Sequence, residues 1–104
     1  MSECRLLILD DDESIARTVA LIAGSGGAQS RVSTNAHEFL DLAAWWTPTH
    51  LFVDLQMPDM DGLQVLSELA NRGCGARIII SSGVGARVLE AAVLSANELG
   101  LDVC

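Results

Sequence analysis

The stretch that most constrains this chain is residues 51–62, Leu-Phe-Val-Asp-Leu-Gln-Met-Pro-Asp-Met-Asp-Gly. The apolar run Leu51, Phe52 and Val53, followed by turn-forming residues, reads as a strand buried on both faces. Pro58 has no N–H to give a sheet ladder, so the strand ends at or before Met57. Asp54 therefore falls at the carboxyl end of a buried strand. In an open α/β sheet that end is where ligands bind. A carboxylate placed there serves chemistry better than it serves packing.

Taken in order, the chain alternates strand and helix signals. Leu6, Leu7, Ile8 and Leu9 form a short apolar run that ends in Asp10-Asp11-Asp12-Glu13, a second buried strand with acids at its end. Residues 14–23 carry Ile15, Val19 and Ile22 at helical spacing, behind acids suited to the positive end of a helix dipole. A polar strand over 29–32 reads as a sheet edge. Thr34 or Asn35 caps a helix reaching Trp45, with Phe39, Leu40, Leu42 and Ala43 inward. Beyond Gly62, Leu63, Leu66, Leu69 and Ala70 mark an amphipathic helix that stops near Gly73 and Gly75. Ile78, Ile79 and Ile80 make another buried strand, followed by Ser81-Ser82-Gly83. A last helix is expected over 86–99, stopped by Gly100, and 101–104 begins a further strand. This β-α-β-α-β-α-β-α order implies a parallel sheet with helices on both faces. With 104 residues and no repeat or linker, residues 1–104 are expected to be a single α/β domain.

Composition narrows the function. A net charge of −8 without any basic stripe argues against direct binding of nucleic acid. No apolar run approaches the roughly 20 residues of a membrane span, and no leader is evident. A cytoplasmic protein is expected. Its three cysteines, Cys4, Cys74 and Cys104, show no CxxC spacing and read as reduced thiols. His37 and His50 have no companion at ligand spacing and read as structural. Of Trp45 and Trp46, at least one belongs in the core.

Three strand ends carry polar groups: Asp10 and Asp11, Asp54, and Ser82. Parallel neighbouring strands bring these to one edge of the sheet, where the carboxylates repel unless a cation compensates. Ligands that are all oxygen, with no His or Cys nearby, favour Mg²⁺ or a similar hard ion. Such a site suits phosphoryl transfer onto Asp54, with the Ser82 hydroxyl donating to a phosphoryl oxygen. Asp12 reads as a first-turn helix acid. Asp59, Asp61, Gly62 and Glu68 match positions of a calcium loop, but its first ligand position is Met57, which argues against calcium.

The motifs Leu-Asp-Asp-Asp at 9–12, Val-Asp-Leu-Gln-Met-Pro-Asp-Met-Asp-Gly at 53–62 and Ser-Gly at 82–83 resemble the receiver domain of two-component response regulators. The resemblance spans essentially the whole chain. It implies a flavodoxin-like doubly wound parallel sheet of order 2-1-3-4, with the fifth strand and fifth helix largely missing. It implies that Asp54 is the phosphoacceptor for a sensor histidine kinase or phosphotransfer protein. Asp10 and Asp11 match the acid pair that holds Mg²⁺, and Gln56 the residue whose backbone carbonyl completes the metal site. Ser82 matches the switch hydroxyl, and Gly83 the small residue after it. The wording around Ser82 and the stretch Gly100-Leu101-Asp102-Val103 also resemble receivers fused to cyclic-di-GMP phosphodiesterase domains.

Family members continue into an aromatic residue, a Lys-Pro and a fifth helix. The chain is accordingly expected to be C-terminally incomplete, lacking both that lysine and an output domain. Its Ile78, Ile79 and Ile80 strand would then form an open edge inviting a homodimer or swapped assembly, and loss of the lysine would impair phosphorylation. A signalling switch, not an enzyme, is the leading expectation. The alternatives are a degenerate receiver that only binds partners, and a Mg²⁺-dependent phosphohydrolase. The second is disfavoured by Gln56, where such phosphatases place a second acid.

Overall fold

The computed structural model describes residues 4–55, 60, 62–81, 94, 97 and 100–103, the last two by their backbone. Five parallel strands, β1 (Arg5–Leu9), β2 (Gln29–Ser33), β3 (His50–Asp54), β4 (Arg77–Ser81) and β5 (Asp102–Val103), form one sheet in the order β2-β1-β3-β4-β5. Three helices connect them among the described residues: α1 (Glu13–Ser25), α2 (Ala36–Trp45) and α3 (Gly62–Asn71). The expected helix over 86–99 lies almost entirely outside the described residues. The doubly wound order expected from the resemblance is the one present.

Strand side chains alternate between the two faces, and the two faces build two cores. Leu7, Leu9, Leu51, Val53, Ile78 and Ile80 pack with Phe39 and Leu40 of α2 and Val65, Leu66 and Leu69 of α3. Leu6, Ile8 and the half-buried Phe52 face α1 instead. Arg72, just past α3, donates from Nη1 to the Leu40 carbonyl of α2 at 3.2 Å, tying those two helices together. No helix among the described residues is long and apolar enough to cross a membrane.

Two expectations need correction. The first concerns α1, whose inward stripe is Ala16, Val19, Ala20 and Ala23. Ile15 and Ile22 point outward, Ile22 being 67 % and the adjacent Leu21 76 % exposed. Alanines let the helix axis approach the sheet closely, so the small residues win the buried face over the larger ones. The second concerns the β4 edge. The two residues of β5 pair with its first half, Asp102 opposite Arg77 and Val103 opposite Ile78, so the isoleucine strand is not the bare edge anticipated. Only the outer side of its second half lacks a pairing neighbour among the described residues.

Both tryptophans close α2 as expected. Trp46 packs against the larger core while Trp45 is 62 % exposed, and the Arg31 guanidinium of β2 lies 5.3 Å from each ring centroid. The following turn places Thr47 at φ 50, a left-handed conformation uncommon for a β-branched residue. Its carbonyl accepts two hydrogen bonds from the Arg5 side chain, at 3.0 and 2.7 Å, which hold the turn in place.

Candidate functional site

The sheet register builds the site. Leu9 stands opposite Val53 and Asp54 opposite Ser81, so the residue after β1, Asp10, reaches the level of Asp54 at the end of β3. The Asp10 backbone N–H donates to the Ser33 carbonyl at 3.2 Å, extending the β1–β2 ladder by one rung and fixing where the acids emerge. On the other side the Leu55 N–H donates to the Ser81 carbonyl at 3.0 Å, holding the chain just beyond Asp54.

From these positions one carboxylate oxygen each of Asp10, Asp11 and Asp54 lies within 4.8 Å of the others. Asp10 is 3 % exposed, and its Oδ1 accepts the Asp12 N–H at 2.9 Å. That bond orients Asp10 and turns the chain into α1. Asp12 is not a member of this cluster. It is the N-cap, with Oδ1 accepting from Ser14 N–H at 2.9 Å and Ile15 N–H at 3.3 Å. The four consecutive acids thus divide: Asp10 and Asp11 join Asp54, Asp12 caps, and Glu13 occupies the first turn.

Three carboxylates gathered by the ends of two strands concentrate negative charge. The donor set holds oxygen without imidazole or thiol, which fits a small hard cation such as Mg²⁺. Gln56, Ser82 and Gly83, the other residues to which sequence reasoning assigned roles, lie outside the described residues, as do Asp59 and Asp61 of the rejected calcium loop. Gly62 opens α3 close against Leu55. A Cβ on Gly62 would fall 2.6 Å from the Leu55 Cα. Only glycine lets α3 begin this close to the residue after β3.

The response regulator receiver domain matches residues 6–101, and the chain belongs to that family. It is a receiver domain of the two-component response regulators. The transcriptional regulatory protein FixJ of Azorhizobium caulinodans is 31 % identical over 78 residues, which cover 75 % of this chain and 37 % of FixJ. The chain thus spans little more than a third of that relative's length. A CheY-like receiver domain from Methanospirillum hungatei superposes with a TM-score of 0.85 at 25 % identity, over 98 % of this chain and 79 % of that one. A Burkholderia pseudomallei response regulator, solved with a phosphorylated aspartic acid, calcium ion and citrate, gives a TM-score of 0.83 at 28 % identity, over 97 % of this chain and 58 % of that one. Receiver domains are typically signalling modules without enzymatic turnover, and the family normally binds Mg²⁺ at its acidic pocket.

Proposed function

We propose that residues 1–104 act as one phosphoacceptor domain, taking a phosphoryl group from the phosphohistidine of a sensor histidine kinase or phosphotransfer protein onto Asp54. The P–N bond of the donor breaks as a P–O bond to the Asp54 carboxylate forms. Asp10 and Asp11 hold the divalent ion together with Asp54 and the Gln56 backbone carbonyl. When bound, Mg²⁺ neutralises charge on the transferring phosphoryl oxygens. The Ser82 hydroxyl donates to the phosphoryl group once it is attached, and Gly83 is the small residue that follows it. The protein serves as a substrate and switch, not as a hydrolase with turnover of its own.

The observation that carries this reading is the mutual approach of the Asp10, Asp11 and Asp54 carboxylates. The phosphorylated aspartic acid described for the Burkholderia pseudomallei structure supports it. So does the exposed apolar surface of α1, where Ile15 and Ile22 stand uncovered on the helix that follows Asp10 and Asp11 and offer a phosphodonor protein a place to dock. Cytoplasmic location follows from the same partners. By analogy with FixJ, a transcriptional regulatory protein of which this chain spans 37 %, we place the switch upstream of an output domain, with the second half of β4 open to self-association.

The test is intact-mass analysis after incubation with acetyl phosphate and Mg²⁺. The expected result is a gain of one phosphoryl group that disappears with chelator and in Asp54→Asn. An unmodified Asp54 in a folded, Mg²⁺-loaded protein would overturn the assignment in favour of a receiver that only binds partners.

A further inference from the structure

At the end of the sheet away from the acids, the loops before β3 and β4 meet the last turns of α2 and α3 around a cleft of about 810 Å³. That volume lies within the roughly 300–1,000 Å³ typical of small-molecule sites. Ala43 of α2, Leu69 of α3, Pro48 and Ala76 give it apolar walls, and Gly73 and Gly75 contribute bare backbone. Both loops are pinned. The Arg5 side chain clamps the Thr47 carbonyl, and the Arg77 N–H donates to the Thr49 carbonyl at 3.0 Å. The Gly73 and Cys74 N–H groups donate to the Ala70 and Leu69 carbonyls, each at 3.0 Å. These last bonds also satisfy carbonyls at the end of α3, which are therefore not bare acceptors facing a ligand.

The charge of the cleft runs against that of the chain. The sequence has 14 acidic residues and 6 basic ones, yet no acid among the described residues lines the cleft, and its one charged residue is Arg72. The Arg72 guanidinium reaches from the end of α3 to α2, where Nη1 donates to the Leu40 carbonyl at 3.2 Å. Its ion pair with Glu68, Nε to Oε2 at 3.9 Å, has both side chains nearly half exposed, so water screens it and it is weak. Neither contact uses Nη2. A planar guanidinium anchored at one nitrogen beside apolar walls suits a carboxylate that carries a hydrocarbon group. We propose that this cleft binds a small apolar carboxylate, an aryl or short alkyl acid. Its hydrocarbon part lies against Ala43, Pro48 and Leu69, and its carboxylate accepts from Arg72 in place of Glu68.

The probe is cinnamate, titrated into the full chain and followed by amide NMR. The expected result is saturating shifts at Ala44, Gly73, Gly75 and Ala76, with the Asp10 and Asp11 amides unmoved. A dissociation constant in the millimolar range or below is expected for a ligand of about ten heavy atoms. Neutral cinnamamide, of nearly the same shape, should bind about tenfold more weakly. Arg72→Gln should weaken cinnamate by a similar factor, whereas Glu68→Gln, which removes the competing carboxylate, should tighten it. Shifts that never saturate, or that centre on the exposed Leu21 and Ile22 of α1, overturn the proposal. Equal affinity of the unaltered chain for cinnamate and cinnamamide overturns it as well, without relying on either variant.

Discussion

Among the consecutive acids 10–13, neighbours of identical chemistry are given separate tasks by backbone geometry. Asp12 has extended backbone, φ −90 and ψ 106, and its side chain folds back onto the first turn of α1, whereas Asp10 and Asp11 join Asp54. The motif suggested which acids gather, but nothing in a run of Asp residues says which one caps; that depends on φ and ψ. Replacing Asp12 with alanine is expected to lower stability by about 1 kcal/mol through the lost cap. For a domain of this size, that is a drop of about 4–8 °C in melting temperature, read by circular dichroism, while Asp54 still accepts a phosphoryl group. Gly62 was legible only as a helix start. Its real constraint is the Leu55 backbone, with Cα 2.6 Å and the carbonyl oxygen 2.9 Å from where a Cβ would sit. Backbone cannot rotate aside as a side chain can, so Gly62→Ala is expected to destabilise by about 1–3 kcal/mol. Because Leu55 directly follows Asp54, the same change should slow phosphorylation by acetyl phosphate. An alanine variant with wild-type melting and wild-type phosphorylation would mean that α3 has room to shift.

The elements themselves were largely readable, because strands buried on both faces announce themselves as Leu, Ile and Val runs. Helix orientation was less so. In α1 the pattern contains two overlapping stripes, one through Ile15, Val19 and Ile22 and one through Ala16, Val19, Ala20 and Ala23, and hydrophobicity alone favours the wrong one. The sheet decides: Leu6, Ile8 and Phe52 already fill the space beneath α1, leaving room for methyl groups and little else. Ala16, fully buried, is therefore the sensitive position. Ala16→Leu is expected to cost about 1–3 kcal/mol by overpacking, whereas Ile22→Gln should change stability by no more than about 0.5 kcal/mol. Thermal melts of the two variants side by side distinguish the orientations; the reverse order would restore the stripe read from the sequence. The cleft beside Arg72 was invisible for a related reason, since only the fold brings the ends of α2 and α3 alongside each other.

For the molecule as a whole, the same charge that builds the site opposes the fold. The chain carries a net charge of −8, and its acid cluster brings three carboxylate oxygens within 4.8 Å of one another. Two like charges at that distance repel by roughly 1 kcal/mol even with the full screening of water, and by more where solvent is excluded. Asp10 is nearly buried and Asp11 exposed, so the true figure lies between these limits. Removing one charge should therefore stabilise the metal-free protein: in chelator, Asp54→Asn is expected to melt higher than the parent. Mg²⁺ reverses the order of merit. A ligand that binds only the folded state at a hundredfold excess over its dissociation constant adds about 2.7 kcal/mol. The parent should gain more from Mg²⁺ than Asp54→Asn does, and Asp11→Asn should lose most of the gain. The decisive quantity is the difference between melting temperatures with and without the ion for each chain, because a general salt effect on a molecule of this charge would raise all three alike. Parallel shifts in the parent and both variants would show that the cluster does not hold the ion, and the assignment of Asp10, Asp11 and Asp54 as its ligands would fall with it.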